Sequence, residues 1–389
     1  MTPSQVCLFI FLVINIGCSY VKFITLIQIS YIFLLLGVFF TLRKKYTFPD
    51  KAFLIWIIAF VFYSFISILW SFSEDTSLDS MILLFKAGVI TISFYYLLQS
   101  KDDLKCALLG MGLAGMLYAI FFLFLLDFDI SLLSAGRFSD NAEIAEELPN
   151  LNVVSMYASF SFIYFLFMFF YQKRKFYLIF ALIDLFLVFT LGSRKSIISI
   201  LICLLLLFPK LNKSNKLQLS FFVFVCIFLV ISFIPYEYIS FVSERLSQLN
   251  FLAEEVKLDR SDEIRVALFE HGVNYCFDAP FFGNGFYVFS QLFKRDYGLA
   301  FYSHNNFIET FVGGGFFAFV LYYGMYVKLL YKMYIRSYKL NYSFLCFLFL
   351  IVLLFNHIAI VVLLDRCIWL LFTIIYAASL YLNVDGEYE

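Results

Sequence analysis

The residues in this chain best suited to chemistry gather between Arg260 and Gly315. There the sequence runs R-S-D-E-I-R-V-A-L-F-E-H-G-V-N-Y-C-F-D-A-P-F-F-G-N-G-F and, further on, S-H-N-N-F-I-E-T-F-V-G-G-G. A guanidinium presents a rigid fork of donors that matches phosphate oxygens two at a time, so converging arginines suit a diphosphate. Arg194 and Arg265 lead that set, with Arg137 and Arg260 as further candidates and Asn305 beside them. Arg260 and Arg245 each have an acid within three residues, and for them a solvated ion pair is the plainer account. Arg194 closes an apolar run in L-G-S-R-K-S, where a charge is costly unless it snorkels or has a task. His304 stands at the mouth of an apolar helix with Glu309 about one turn on. An imidazole with a pKa near 6.5 can take a proton from a hydroxyl, and a helix N-terminus beside it favours anions. A capping or interfacial role is the simpler account for a histidine in such a place, and is preferred for His271 and His357.

The elements that must hold these groups are hydrophobic. Of 389 residues, 63% are hydrophobic and 14% charged, with 55 Phe and a mean hydropathy of +0.91, against roughly 45–50% apolar in a soluble domain. The composition predicts an all-α polytopic membrane protein rather than a barrel, since alternating ten-residue strands are absent. Twelve spans are expected, at about 4–19, 23–42, 52–72, 81–99, 104–126, 150–171, 176–192, 195–209, 217–235, 303–327, 341–363 and 367–383. The first lacks a basic n-region and a small-residue cleavage site, so a retained helix is expected. The eight cysteines show no C-x-x-C spacing, which argues against a zinc site or disulfide framework. Zero net charge and no basic tail argue against nucleic acid.

Lys and Arg in the short loops number sixteen on one side and five on the other. The bias puts the richer side, with both termini, in the cytoplasm. It leaves a shorter loop at 127–149, the turn around Gly192 and a long loop at 236–302 outside, inserted in one membrane domain spanning 1–389. The long loop carries ten acids against six bases, so an anion there must be held by particular arginines rather than by a general field. Within it, Ile264, Ala267, Leu268, His271 and Tyr275 recur at helical spacing. They predict an amphipathic helix lying on the bundle or at the interface, ended by Pro280 with Gly283 and Gly285. Lys86 and Asp184 fall inside apolar runs. Pairing with each other is the expected explanation, and a transport pathway the other.

Four stretches together resemble the O-antigen polymerase and O-antigen ligase superfamily of bacterial membrane glycosyltransferases. They are Gly136-Arg137-Phe138 with Pro149-Asn150-Leu151-Asn152; Ser193-Arg194; Arg265 with Pro280-Phe281-Phe282-Gly283-Asn284-Gly285-Phe286; and His304-Asn305 ahead of Gly315. The likeness covers roughly residues 130–330. Ala318 stands where the ligase pattern has Gly, Thr or Tyr.

The resemblance implies glycan transfer without nucleotide sugar, metal or other cofactor. The donor would be an oligosaccharide on undecaprenyl pyrophosphate, reached from the membrane lipid on the periplasmic face of the inner membrane. Arg194 and Arg265, with Arg137, would clamp the diphosphate, and His304 would deprotonate the acceptor hydroxyl with Glu309 orienting it. An acceptor that is another lipid-linked repeat unit makes the protein a polysaccharide polymerase, served by a chain-length regulator protein. The lipid A core as acceptor makes it a ligase. The His-Asn-Asn-Phe-Ile-Glu-Thr-Phe stretch and the Pro-Phe-Phe-Gly-Asn-Gly turn favour the polymerase. A lipid-linked oligosaccharide flippase is the alternative from another class; it would use charges inside the bundle and two similar halves, which the sequence does not show.

Overall fold

The computed structural model describes residues 1–20, 23–44, 48, 50–126, 150–191, 193–233 and 260–382, with side chains left aside at 225–233 and 260–263. Its described elements are helical: α1 (Pro3–Gly17), α2 (Ile24–Leu42), α3 (Lys51–Ile66, extended by a 3-10 turn Ser67–Trp70), α4 (Glu74–Leu97), α5 (Lys101–Leu125), α6 (Leu151–Gln172), α7 (Phe176–Thr190), α8 (Arg194–Leu207), α9 (Lys213–Phe233), α10 (Arg260–Asp278), α11 (Phe289–Tyr297), α12 (Asn306–Arg336), α13 (Tyr342–His357) and α14 (Arg366–Tyr381). Each of the twelve apolar stretches forms a helix. Six of these, α2, α3 with its 3-10 turn, α4, α5, α6 and α12, are long and apolar enough to cross a membrane. Helices α1, α7, α13 and α14 have 15 or 16 residues, about 22–24 Å at 1.5 Å per residue, against a hydrocarbon core of about 30 Å.

Small residues set how closely the helices approach. A Cβ on Gly115 would come within 2.5 Å of the Tyr157 carbonyl, and one on Gly112 within 2.4 Å of the Tyr164 ring, so the two glycines let α5 lie directly on α6. Helix α6 is the most enclosed span, 89% of its apolar window buried, which puts it at the centre of the bundle. Some polar side chains inside the bundle bond one another, as with Asn15 to Ser30 at 2.9 Å. Lys86 and Asp184 do not pair. Asp184, on α7, accepts from Ser161 at 2.6 Å inside the bundle, whereas Lys86 is exposed on α4. The expected ion pair fails because the two residues sit on helices that do not pack together.

The ends of the bundle are distinct. At one, Gln5 donates to Asp103, Tyr381 to the Leu98 carbonyl, and Arg336 to the carbonyls of Ser379 and Leu382. At the other, Arg366 bonds Asn15 and Ser19, and Asn150 donates to the Tyr302 hydroxyl.

Helix α12 is broken. Three consecutive glycines end its first part, and Gly315 takes φ 62°, ψ −164°, a backbone region essentially closed to residues with a Cβ. Breaking a helix frees backbone groups that lipid cannot satisfy. The Pro280–Phe286 turn supplies the partners: Asn284 and Gly285 donate to the carbonyls of Val312 and Gly313, while Phe316 and Phe317 donate to those of Pro280 and Phe281. Tyr63 of α3 donates to the Gly314 carbonyl at 2.8 Å. The turn therefore plugs into the break, and α10 leads into it as predicted. Helix α10 packs Leu268 and Tyr275 against Phe289, Phe293, Ile308 and Val312 of α11 and α12, with Ile264 at the edge.

Candidate functional site

The loop Phe301–Asn305 is held by side chains whose positions follow from the helix start beside it. Asn305 takes the N-cap of α12, its Oδ1 accepting from the amides of Phe307 and Ile308 at 2.9 and 3.2 Å. Its oxygen is thus committed to the helix, leaving only its amide group for a phosphate. Glu309 is 2% exposed and accepts from the Ser303 hydroxyl at 2.7 Å and the Ser303 amide at 3.3 Å. No hydrogen bond joins Glu309 to His304 among the described residues, which corrects the expectation that the carboxylate orients the imidazole. It holds the preceding residue instead.

That arrangement sets His304 itself at φ 53°, a left-handed conformation costing a non-glycine residue about 1–2 kcal/mol. Its ring lies against that of Tyr302, tilted by 38° with centroids 3.9 Å apart. Tyr302 in turn accepts from Asn150, the residue that caps α6. Burial, then the positive charges of Arg265 and Lys195, pull the His304 imidazole down to about 4. It is therefore neutral at ordinary pH, able to accept a proton. Tyr302 is held by burial above the ordinary phenol range, against the pull of Asn150 and Arg265.

The cations come from two other places in the chain. Arg194 and Lys195 are the first two residues of α8, whose first turn contains no acid. Two cations thus stand at the positive end of a helix, where an anion is favoured. The Lys195 ammonium donates to the Ala359 carbonyl at 2.8 Å, which fixes the side chain across the bundle. The charges of Arg265, exposed on α10, and of Arg194 both reach it. Ser193, just before the pair, donates to Asn152 at 3.1 Å, tying the start of α8 to that of α6. Tyr287 lies within electrostatic reach of Glu309, Tyr302 and Asp365.

Of the residues expected from sequence, Arg194, Arg265 and His304 are brought to one region, Glu309 lies beneath it and Asn305 beside it as a cap. Arg260 begins α10, its side chain outside the described residues, as are Arg137 and Arg245 altogether. Arg295 is spoken for by Asp296 at 2.6 Å and Arg366 by Asn15 and Ser19. His271 meets the Tyr297 hydroxyl, and His357 is enclosed near Tyr323, so neither joins the group. Sequence reasoning gives Lys195 no role beyond a loop charge and gives Tyr302 none, while Asn150 enters it only within one of the four matching stretches; the signal for Lys195 is two adjacent bases at a helix start. Cavities of about 660 and 450 Å³ lie elsewhere, lined by α6, α7 and α9 and by α3 and α4 respectively.

No curated protein matches the chain. Residues 179–323, which hold Arg194, Lys195, Arg265, the Pro280–Phe286 turn and His304, match the family model described as O-antigen ligase.

Proposed function

We propose that this protein is a membrane glycosyltransferase that polymerises a surface polysaccharide, moving a glycan from undecaprenyl pyrophosphate to a sugar hydroxyl of another lipid-linked repeat unit. The observation that carries the reading is that the charges of Arg265 and Lys195 both reach a neutral His304 imidazole, with Arg194 in turn within electrostatic reach of Lys195. In the proposed step, Arg194, Arg265 and Lys195 bind the donor diphosphate and stabilise the charge that grows on it as the sugar C1–oxygen bond breaks. His304 takes the proton from the acceptor hydroxyl as that oxygen bonds to C1. A diphosphate seated among the cations offsets the charge that depresses the imidazole, so donor binding itself makes His304 a stronger base.

In this reading the twelve helices span the bacterial inner membrane, both termini are cytoplasmic and the site faces the periplasm. The acidic loops supply no general attraction, so selectivity falls to named cations. A chain-length regulator protein is a further partner of the polymerase. Transfer to the lipid A core is the second reading, favoured by the description of the matching family model. The flippase reading would use charges inside the bundle, whereas Lys86 is exposed on α4 and Asp184 is bonded to Ser161.

The test is surface glycan from a strain lacking the protein, complemented with wild type, Arg194→Ala, Arg265→Ala or His304→Ala. Each variant should insert normally yet give single repeats on the core. Absence of any repeat on the core, with lipid-linked polymer accumulating, points to the ligase. Loss of lipid-linked repeats from the outer leaflet would refute glycan transfer altogether.

A further inference from the structure

A cavity lies at the opposite end of the bundle from His304. There α6 and α7 end and begin at Lys173–Lys175, and α9 starts at Lys213. The cavity, between α9 and the α6–α7 pair, measures about 660 Å³, within the range of small-molecule pockets. Its interior is apolar, formed by Phe170, Leu178, Leu182 and Phe222, while Lys173, Lys175, Asn215 and Gln218 stand at its lip.

The charge around this lip is one-sided. Lys173, Arg174, Lys175, Lys210, Lys213 and Lys216 belong to the two loops beside it, and from Asn150 to Tyr236 the single acid is Asp184. Asp184 is fully buried and committed to Ser161, so it neutralises none of them. Lysines at this membrane end would be present for orientation alone. What orientation does not require is a recess between helices with an oily interior beneath those lysines and carboxamides.

We propose that the cavity holds an anionic phospholipid from the leaflet at this end, with its phosphate at Lys173 and Lys175 and its acyl chains against Phe170, Leu182 and Phe222. Asn215 and Gln218 can donate to the remaining headgroup oxygens. Basic recesses between membrane helices select anionic headgroups in this way. The bound lipid fills the recess between α9 and the α6–α7 pair. The inference does not depend on the glycan-transfer reading.

The experiment uses the full-length chain in neutral detergent, titrated with phosphatidylglycerol or with phosphatidylcholine of identical acyl chains, and counts retained lipid by native mass spectrometry. Phosphatidylglycerol should be retained at a concentration at least about tenfold lower, given about 1 kcal/mol per basic residue. Lys173→Glu with Lys175→Glu should abolish the preference, and Lys328→Glu with Lys339→Glu, at the same end of the bundle, should keep it. Leu182→Trp, which occupies the apolar interior without changing charge, should release the lipid. Equal retention of the two lipids, a preference surviving Lys173→Glu with Lys175→Glu, or indifference to Leu182→Trp would each overturn the proposal. Displacement by millimolar inorganic phosphate would overturn it too, since the site would then read phosphate rather than lipid.

Discussion

Two glycines in the same helix should respond to the same substitution with opposite signs. In Gly315→Ala the new Cβ would lie 2.3 Å from the Phe281 carbonyl carbon and oxygen, at a φ of 62°. Holding alanine in that conformation costs about 1–3 kcal/mol. The Pro280–Phe286 turn must also retreat, weakening the bonds from Phe316 and Phe317 to the Pro280 and Phe281 carbonyls at about 0.5–1.5 kcal/mol each. The sum is about 4 kcal/mol of destabilisation. Gly324, also in α12, is exposed and has nothing within 4 Å of an added Cβ. Alanine there should gain up to about 1 kcal/mol of helix propensity. Thermal unfolding of the two variants in detergent should therefore bracket wild type, with Gly315→Ala well below and Gly324→Ala level or slightly above. Coincident midpoints would show that the turn does not hold the break, and the account of α12 would be wrong.

Other outcomes follow from the site. The His304 imidazole, at about 4 rather than 6.5, should keep the acid limb of kcat/KM below pH 6, and Arg265→Ala or Lys195→Met should move that limb upward. For stability the sign is that of a depressed base: the unfolded chain takes up the proton near pH 6.5 and the folded chain does not, so stability falls as pH drops from 6.5 toward 4. His304→Ala should flatten that slope in thermal melts. Lys195→Met removes a cation and leaves the Ala359 carbonyl without its donor, so KM for the lipid-linked donor should rise more than kcat falls. Glu309→Gln keeps an oxygen for Ser303 and should retain activity within about tenfold, whereas Glu309→Leu strands the Ser303 amide and hydroxyl at about 1–3 kcal/mol each. Equal loss in both variants, at unchanged melting temperature, would make Glu309 a proton carrier instead of a support.

The helices were legible because burial in lipid or core demands long apolar runs, and all twelve such runs coil. Helix α10 was legible from period alone, since Leu268 and Tyr275 share the face that packs on α11 and α12. Arg194 and His304 stood out as a charge and an imidazole beside apolar helix ends, and Arg265 as a cation in the polar stretch between them. Other features depended on contacts between distant parts of the chain. Nothing near Glu309 announces that it grips Ser303 rather than the histidine between them, because a helix start brings both into range. Asp184 finds its partner in Ser161 of the neighbouring helix, and a serine in an apolar run carries no label. Lys195 looked like one more orientation charge until its ammonium was seen crossing to Ala359.

The interlock of turn and break also constrains how the protein is made. Residues 280–286 leave the ribosome about thirty residues ahead of Gly313–Gly315, so their backbone partners do not yet exist when they emerge. The glycine segment must enter the bilayer either as a continuous coil that later opens or with its amides already matched by the waiting loop. In the second case insertion of α12 and docking of the Pro280–Phe286 turn are one event; in the first, the turn docks only after the helix has entered.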